Sequence, residues 1–228
     1  VLERLPQLEV VRCFFEPDGT FPNHEPNPLL PENRGFIVRK TLDEAADFGV
    51  AFDGDADRCF FVDDSGEFVS GDFATALFAE SVLEKEPGAT IIYDVRASWA
   101  VPETIERAGG VPLVNRVGHA FIKQRMRKED GIFAGEVTGH YYFRDFYYAD
   151  NGFIPALLIL ELMSRKGQTL AQLLDPLRQK YFISGEINTR VPDMSHTTAK
   201  IDGLAKQYAG GRVFMMDGVS VEYPTWHF

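Results

Sequence analysis

Three carboxylates at alternate positions are the strongest chemical signal in the sequence. Asp53, Asp55 and Asp57 lie in residues 53–58 (DGDADR), directly after an apolar run. Carboxylates this close repel one another unless a cation lies among them, and oxygen ligands suit Mg²⁺, Mn²⁺ or Ca²⁺. The small residues between them allow the backbone to curl around one ion, and Arg58 is suited to bind a phosphate held beside it. We therefore predict a divalent-metal site, with a solvated acidic turn as the alternative.

The residues after Asp53 can be compared with the sequence patterns of known kinds of metal site. An EF-hand calcium loop needs Gly at its sixth position and Glu at its twelfth. Counted from Asp53, these positions hold Arg58 and Asp64, which excludes an EF-hand. Some enzymes form a covalent phosphate on an aspartate. A phosphatase with Asp53 as its nucleophile therefore remains an open alternative.

A second group of polar side chains lies in residues 135–140 (GEVTGH), after the apolar run 132–134. Glu136, Thr138 and His140 alternate, so an extended loop would point all three side chains the same way. A carboxylate, a hydroxyl and an imidazole on one face offer hydrogen-bond partners for sugar hydroxyls. A structural hydrogen-bond network is the alternative.

Basic side chains follow two other predicted strands. Arg96 follows strand 90–93, and Arg116 follows strand 111–114 and precedes His119 at the start of a helix. Strand ends are the usual ligand-binding edge of an α/β sheet, and basic groups there fit an anion. Arginine is also common on protein surfaces, so each residue alone is equally consistent with a solvated side chain.

The elements that would position these residues alternate between β-rich and helical patterns, which is typical of an α/β fold. Five prolines in residues 17–31 predict an irregular loop. The pattern predicts strands at residues 8–15, 48–52, 59–62, 90–93, 111–114, 132–134 and 182–190, and near 213 and 219. It predicts the end of a helix at 41–47 and helices at 71–84, 99–108, 119–129, 151–165, 169–180 and 197–208.

Composition and charge exclude several classes of protein. Of the 228 residues, 45% are hydrophobic and 25% charged, as in folded globular proteins. A net charge of −11 disfavours nucleic-acid binding, and no apolar run is long enough to span a membrane. Two cysteines predict a reducing, cytoplasmic location. The missing initial Met and the alternation of apolar and polar residues in 219–228 predict that both ends are cuts through a longer protein.

Taken together, these motifs resemble the α-D-phosphohexomutase superfamily, and most closely its bacterial phosphomannomutase/phosphoglucomutase branch. Residues 53–58 and 135–140 carry most of the resemblance. Three further segments match in the expected order: 18–28 (DGTFPNHEPNP), 116–119 (RVGH) and 217–219 (DGV).

The resemblance implies an α/β protein of tandem related domains, with mixed sheets sandwiched by helices and the start of a smaller α+β C-terminal domain. Residues 1–67 would form most of the metal-loop domain, 68–180 the sugar-recognition domain, and 181–228 the opening of a phosphate-binding domain. The family's phosphoserine lies in a Thr-Ala-Ser-His-Asn-Pro-like run, which the printed sequence lacks. We therefore expect the 228-residue chain alone to be inactive.

The resemblance also implies a reaction, the interconversion of hexose 1-phosphate and hexose 6-phosphate of mannose or glucose. A phosphoserine donates its phosphoryl group, a hexose 1,6-bisphosphate forms as intermediate and activator, and the other phosphate returns to serine. Asp53, Asp55 and Asp57 would hold Mg²⁺, and Arg58 would steady the phosphoryl group. We expect a monomer or homodimer that binds phosphohexose. A Mg²⁺-dependent phosphatase and a non-catalytic phosphosugar-binding module stay open.

Roles for the other polar residues follow from the same resemblance. Six residues would contact the substrate: Arg116, Gly118, His119, Glu136, Thr138 and His140. His119 and His140 would also act as acid–base groups near neutral pH. Arg96 stands where the family has a lysine. A guanidinium stays protonated and is a poor base, so we expect Arg96 to act by stabilising charge.

Overall fold

A proline-rich stretch and a short antiparallel sheet make up the first part of the chain. The computed structural model describes residues 2–185, 187, 189–191 and 193–228. The first sheet has the strand order β1-β2-β3, with β1 at Phe48–Phe52, β2 at Cys59–Asp63 and β3 at Phe68–Val69. Phe52 pairs with Cys59, so residues 53–58 are the connection of a hairpin. Helix α1, Gly35–Asp43, packs against β1.

Five strands form a mixed second sheet in the order β5-β4-β6-β7-β8. They are β4 Thr90–Asp94, β5 Val111–Asn115, β6 Phe133–Gly135, β7 Tyr141–Phe143 and β8 Ala149–Asp150. β4 runs parallel to β5 and β6, whereas β6–β7 and β7–β8 are antiparallel pairs. The carboxyl ends of three neighbouring parallel strands therefore meet at one edge of the sheet, which is where ligands usually bind.

Helix α2, Gly71–Lys85, joins the first two sheets into one hydrophobic core. Its Phe78 ring contacts Phe61 on β2 and Tyr141 on β7, with centroids 6.0 and 5.0 Å apart. Burying such aromatic rings between the two sheets fixes the β1–β2 hairpin relative to the second sheet. The other helices of this region are α3 Ala100–Arg107, α4 His119–Glu129, α5 Phe153–Lys166 and α6 Leu170–Lys180.

A third, antiparallel sheet follows near the C-terminus and lies against the second sheet's loops. The elements are α7 Met194–Gln207, β9 Arg212–Phe214, β10 Ser220–Tyr223 and β11 Trp226–His227. His227 stacks on Trp99 with 4.7 Å between ring centroids. Asp217 Oδ2 accepts a hydrogen bond from Val117 N at 2.9 Å. Short 3₁₀ helices lie at Leu2–Arg4, Pro31–Asn33 and Arg144–Phe146.

The predicted α/β class, with mixed sheets flanked by helices, is confirmed. Two predicted strands are wrong. Residues 8–15 form no strand, and Phe14 has a left-handed φ of 53°. Strand 182–190 is absent at its described positions, while 186 and 188 lie outside the described residues. A segment rich in β-forming residues becomes a strand only where a neighbouring strand pairs with its backbone hydrogen-bonding groups.

The predicted helix end at 41–47 also needs correction. The helix stops at Asp43, and Ala45 has a left-handed φ of 48°. Across the described ranges, no helix combines the length and apolar character needed to cross a bilayer.

Candidate functional site

Residues 53–58, which we call the carboxylate loop, connect β1 to β2. The loop closes tightly, with Ala56 N donating to Asp53 O at 3.2 Å and Ala56 in a left-handed conformation with φ 59°. One carboxylate oxygen from each of Asp53, Asp55 and Asp57 lies within 4.8 Å of the others. The loop thus brings the three predicted ligands together on a hairpin of antiparallel strands.

Arg58 closes the other end of the carboxylate loop. Its backbone N donates to Asp53 Oδ1 at 3.1 Å, and its Nε donates to Asp53 Oδ2 at 2.6 Å. The Asp53 side chain is 3% exposed, whereas that of Arg58 is 23% exposed. The pair anchors the buried end of the loop and leaves the guanidinium partly accessible to a ligand.

The donor set of the loop fits a divalent cation. Asp57 Oδ1 is buried and has no hydrogen-bond partner among the described residues. Burial raises the pKa of Asp57; nearby His140 opposes this rise, while Asp53 and Asp55 add to it. A buried carboxylate oxygen without a donor is costly, and an ion bound by hard oxygen ligands would supply the missing charge.

Residues 136–140, which we call the polar turn, connect β6 to β7. They form a reverse turn, not the extended loop predicted from the sequence: Glu136 N donates to His140 O at 3.0 Å and Gly139 N to Glu136 O at 3.1 Å. Gly139 has φ 87°, which favours glycine. The three predicted side chains still converge, because His140 Nδ1 lies 3.4 Å from both Thr138 Oγ1 and Glu136 Oε2.

The carboxylate loop and the polar turn are adjacent. Cys59 N donates to Gly139 O at 3.0 Å, and Arg58 and His140 form an isolated antiparallel bridge. His140 Nε2 lies 3.5 Å from Asp57 Oδ1. The two sets of residues that the sequence singles out separately therefore occupy one site, with the imidazole between them.

Glu136 is held inside the polar turn by donors from two other elements. Its side chain is 2% exposed. Its Oε1 accepts from Gly118 N at 3.2 Å and its Oε2 from Tyr142 OH at 2.5 Å. Burial and this carboxylate raise the pKa of Tyr142, which keeps the phenol protonated and donating. Gly118 has φ 117°, so the segment that reaches Glu136 depends on glycine.

Asp94, at the carboxyl end of β4, is a site residue that the sequence analysis missed. It is fully buried. It accepts from Arg96 N at 2.7 Å, Arg96 Nε at 3.2 Å and Arg96 Nη2 at 3.1 Å, and its Oδ2 accepts from Val137 N at 2.8 Å. One carboxylate therefore orients both Arg96 and the polar turn. Its position directly after predicted strand 90–93 is the signal that would have identified it.

Arg116 and His119 are both exposed, at the start of α4. The Arg116 guanidinium lies 4.1 Å from the centroid of the Phe121 ring, a cation–π geometry. His119 is the first residue of α4, after the Gly118 that donates to Glu136. The segment thus reaches the polar turn through its backbone and presents its basic side chains to solvent.

Two family models match the chain. The model of phosphoglucomutase/phosphomannomutase alpha/beta/alpha domain II matches residues 1–66, and that of domain III matches residues 70–181. A phosphoglucomutase/phosphomannomutase family protein from Burkholderia thailandensis has a similar crystal structure, with TM-score 0.77 and 34% identity. The similarity covers 95% of this chain and 46% of that one.

Named relatives are similar over nearly the whole chain. Phosphohexose mutases of Xanthomonas campestris pv. campestris are 45% identical over 221 residues, 97% of this chain and 49% of the relative. Phosphomannomutase of Salmonella montevideo is 44% identical over 221 residues, 97% of this chain and 48% of the relative. The chain spans about half the length of the curated relatives it matches.

Proposed function

The chain belongs to the phosphoglucomutase/phosphomannomutase family, and from this premise we propose that the protein is a phosphohexomutase. It would interconvert hexose 1-phosphate and hexose 6-phosphate, of mannose or glucose, through a phosphoserine and a hexose 1,6-bisphosphate. The observation that carries the proposal is the junction of the carboxylate loop with the polar turn, where His140 lies 3.5 Å from Asp57 and 3.4 Å from Glu136.

Asp53, Asp55 and Asp57 would hold Mg²⁺, which neutralises charge on a transferring phosphoryl group when bound. The close carboxylates and the buried Asp57 Oδ1 without a donor support this assignment. Arg58, fixed through Nε to Asp53, would direct the rest of its guanidinium at the phosphoryl oxygens.

The polar turn would bind the sugar hydroxyls. Thr138 and His140 are partly exposed and offer a hydroxyl and an imidazole to the substrate. Glu136 would accept from sugar hydroxyls while sharing its oxygens with Gly118 N and Tyr142 OH. A sugar that binds in two orientations needs partners that both donate and accept, and this set has both. Arg116, Gly118 and His119 would contribute at the rim.

Arginine would stabilise negative charge in the site, and histidine would transfer protons. Arg96, whose backbone N and side chain both donate to Asp94, would stabilise anionic oxygens. His119 and His140 would exchange protons with the sugar hydroxyls, because an imidazole nitrogen can both donate and accept a proton.

We propose the domain division of the family for this chain, with residues 1–67, 68–180 and 181–228 in three successive domains. The transferable phosphoryl group would be carried by a serine outside the printed residues, which contain no Thr-Ala-Ser-His-Asn-Pro-like run. A chain of these 228 residues would then bind hexose phosphate without converting it.

A phosphatase with an aspartyl-phosphate at Asp53 is the less favoured alternative. The Asp53 side chain is 3% exposed, and both of its oxygens accept hydrogen bonds from Arg58. Each oxygen keeps a second lone pair that could bind a small cation, but in-line attack on phosphorus also needs open space beside the oxygen, which a side chain this buried lacks.

The test is ³¹P NMR on the protein expressed from its complete reading frame, with mannose 1-phosphate, Mg²⁺ and catalytic hexose 1,6-bisphosphate. We expect mannose 6-phosphate to form, with turnover lost in Asp55→Asn and retained in Asp43→Asn, an exposed carboxylate on α1. Release of inorganic phosphate without the 6-phosphate isomer would indicate the phosphatase. Binding with no reaction would leave a phosphosugar-binding module.

A further inference from the structure

We infer that Gly152 is a positioning residue of the carboxylate loop, because its lack of a side chain lets the start of α5 lie directly against the loop's backbone. The inference rests on the proposed metal site, which it extends by one residue. Gly152 is distant from the loop in sequence and belongs to none of the motifs identified above.

The approach at Gly152 is too close for any other residue. A Cβ added there would lie 2.6 Å from Ala56 O and 3.0 Å from Arg58 O. Both atoms are backbone carbonyl oxygens of the loop, so they cannot rotate away as a flexible side chain can. Gly152 itself has an ordinary φ of −75°, so glycine is needed here for space and not for backbone conformation.

Gly152 is fixed by its neighbours and so forms a rigid support. Asn151 Oδ1 accepts from Phe153 N at 2.9 Å and Ile154 N at 2.8 Å, which caps the start of α5. Asn151 N donates to Tyr141 O at 3.1 Å, which ties the same residue to β7. The junction of sheet and helix therefore cannot move aside easily to relieve a clash.

The proline-rich stretch also lies near the loop. A Cβ added at Gly54 would lie 3.3 Å from both Phe21 and Pro26 of the proline-rich stretch. The loop thus has neighbours at both Gly54 and Ala56, and Ala56, which lies against Gly152, stands between the two carboxylates Asp55 and Asp57. Mg²⁺ and Mn²⁺ favour near-octahedral oxygen geometry, so a displacement of Ala56 by a few tenths of an ångström would disturb both ligands.

The test is a titration of the 228-residue chain with Mn²⁺, with free Mn²⁺ measured by electron paramagnetic resonance. The variants are Gly152→Ala and the matched control Gly35→Ala, at the start of α1, where an added Cβ would meet nothing within 4 Å. We expect the control to bind as the parent chain does. We expect Gly152→Ala to bind about 10- to 100-fold more weakly, the usual effect of disturbing an outer-shell partner.

Thermal unfolding of the metal-free variants separates positioning from a general loss of structure. A positioning role predicts weaker Mn²⁺ binding by chains that remain folded at the titration temperature. If folded Gly152→Ala binds Mn²⁺ as tightly as Gly35→Ala, the inference is overturned. If the parent chain binds no Mn²⁺, the proposed metal site itself is wrong, and the inference fails with it.

A second pair of variants covers the case in which Gly152→Ala does not fold. Asn151→Ala removes the cap that fixes Gly152 without adding a clash, whereas Asn151→Ser retains a capping oxygen. We expect Asn151→Ala to bind Mn²⁺ about 10-fold more weakly than the parent chain and Asn151→Ser to bind nearly as tightly as the parent. Equal affinities of these two variants would then overturn the inference.

Discussion

The carboxylate loop and the polar turn each hold a carboxylate with a buried oxygen, but the two carboxylates have different surroundings. Asp57 Oδ1 has no hydrogen-bond partner in the described part of the chain, and burial and neighbouring charges raise the pKa of Asp57. Glu136 accepts from Gly118 N through one oxygen and from Tyr142 OH through the other. Glu136 thus has two hydrogen-bond donors, whereas Asp57 Oδ1 has an ion-pair contact with the His140 imidazole at 3.5 Å and no hydrogen bond within the described residues. A carboxylate oxygen without a hydrogen bond, more than acidity alone, therefore distinguishes the proposed metal site.

The largest effect on stability is expected from removal of Asp94, the carboxylate that orients the polar turn. Asp94→Ala should lower the free energy of unfolding by about 3 kcal/mol, because it removes a buried carboxylate that accepts hydrogen bonds from both Arg96 and Val137 N. Urea denaturation measures this loss. Asp94→Asn keeps an acceptor for Val137 N and should lose less. A loss below about 0.5 kcal/mol in Asp94→Ala, the range of ordinary surface substitutions, would contradict the assigned role.

A smaller loss is expected from Tyr142→Phe, which removes one of the two donors to Glu136. The buried carboxylate then lacks a charge-assisted hydrogen bond, and the free energy of unfolding should fall by about 2 kcal/mol. Tyr147→Phe is the matched control, because that side chain is 83% exposed and should change stability little. Equal effects of the two variants in urea denaturation would show that Glu136 does not depend on the protein's own donors.

The smallest effect on stability is expected for Asp57 in the carboxylate loop, where a substitution should stabilise the metal-free chain. The pKa of Asp57 is raised above its ordinary 3.8 in the folded chain, so the native state binds more protons than the unfolded state above about pH 4. Metal-free stability therefore falls as pH rises through the folded pKa. Asp57→Asn should remove this decline and stabilise the metal-free chain at pH 7 by on the order of 0.5 kcal/mol. The partial exposure of Asp57 limits the gain.

A pH series of urea denaturations, recorded with a chelator, checks this prediction. The parent and Asp57→Asn chains should be equally stable below pH 4 and should diverge as the pH rises. A variant that is less stable than the parent at every pH would mean that the protein already satisfies Asp57.

The sequence predicts local features well and contacts between distant segments poorly. The carboxylate loop was predictable because its three aspartates lie within five residues and the flanking strands are short and apolar. The polar turn was predicted with the wrong backbone, because its reverse-turn geometry depends on Gly139 at positive φ and on pairing with Cys59. Asp94 directly follows predicted strand 90–93, but its contact with Val137 N, 43 positions away, is not visible in any local pattern. Gly152 contacts the carboxylate loop from a distant part of the sequence, so no local pattern identifies it.

Tyr142 was missed for the same reason. It lies at the start of the aromatic run 141–148, and its side chain is buried, as are those of Tyr141 and Phe143, so the sequence alone gives it no role beyond core packing. Only the register of β6 against β7 directs its hydroxyl to Glu136.

The most direct test of the account is the effect of Mg²⁺ on the stability of the parent chain and of Asp57→Asn at pH 7. A ligand that binds only the folded chain stabilises it by about 2.7 kcal/mol at 100 times its Kd. We predict that Mg²⁺ raises the free energy of unfolding of the parent chain by an amount of this order at saturating concentration, and that Asp57→Asn loses most of this gain. A parent chain whose stability does not change with Mg²⁺, or a variant that responds equally, would contradict the claim that the carboxylate loop is built to hold a cation.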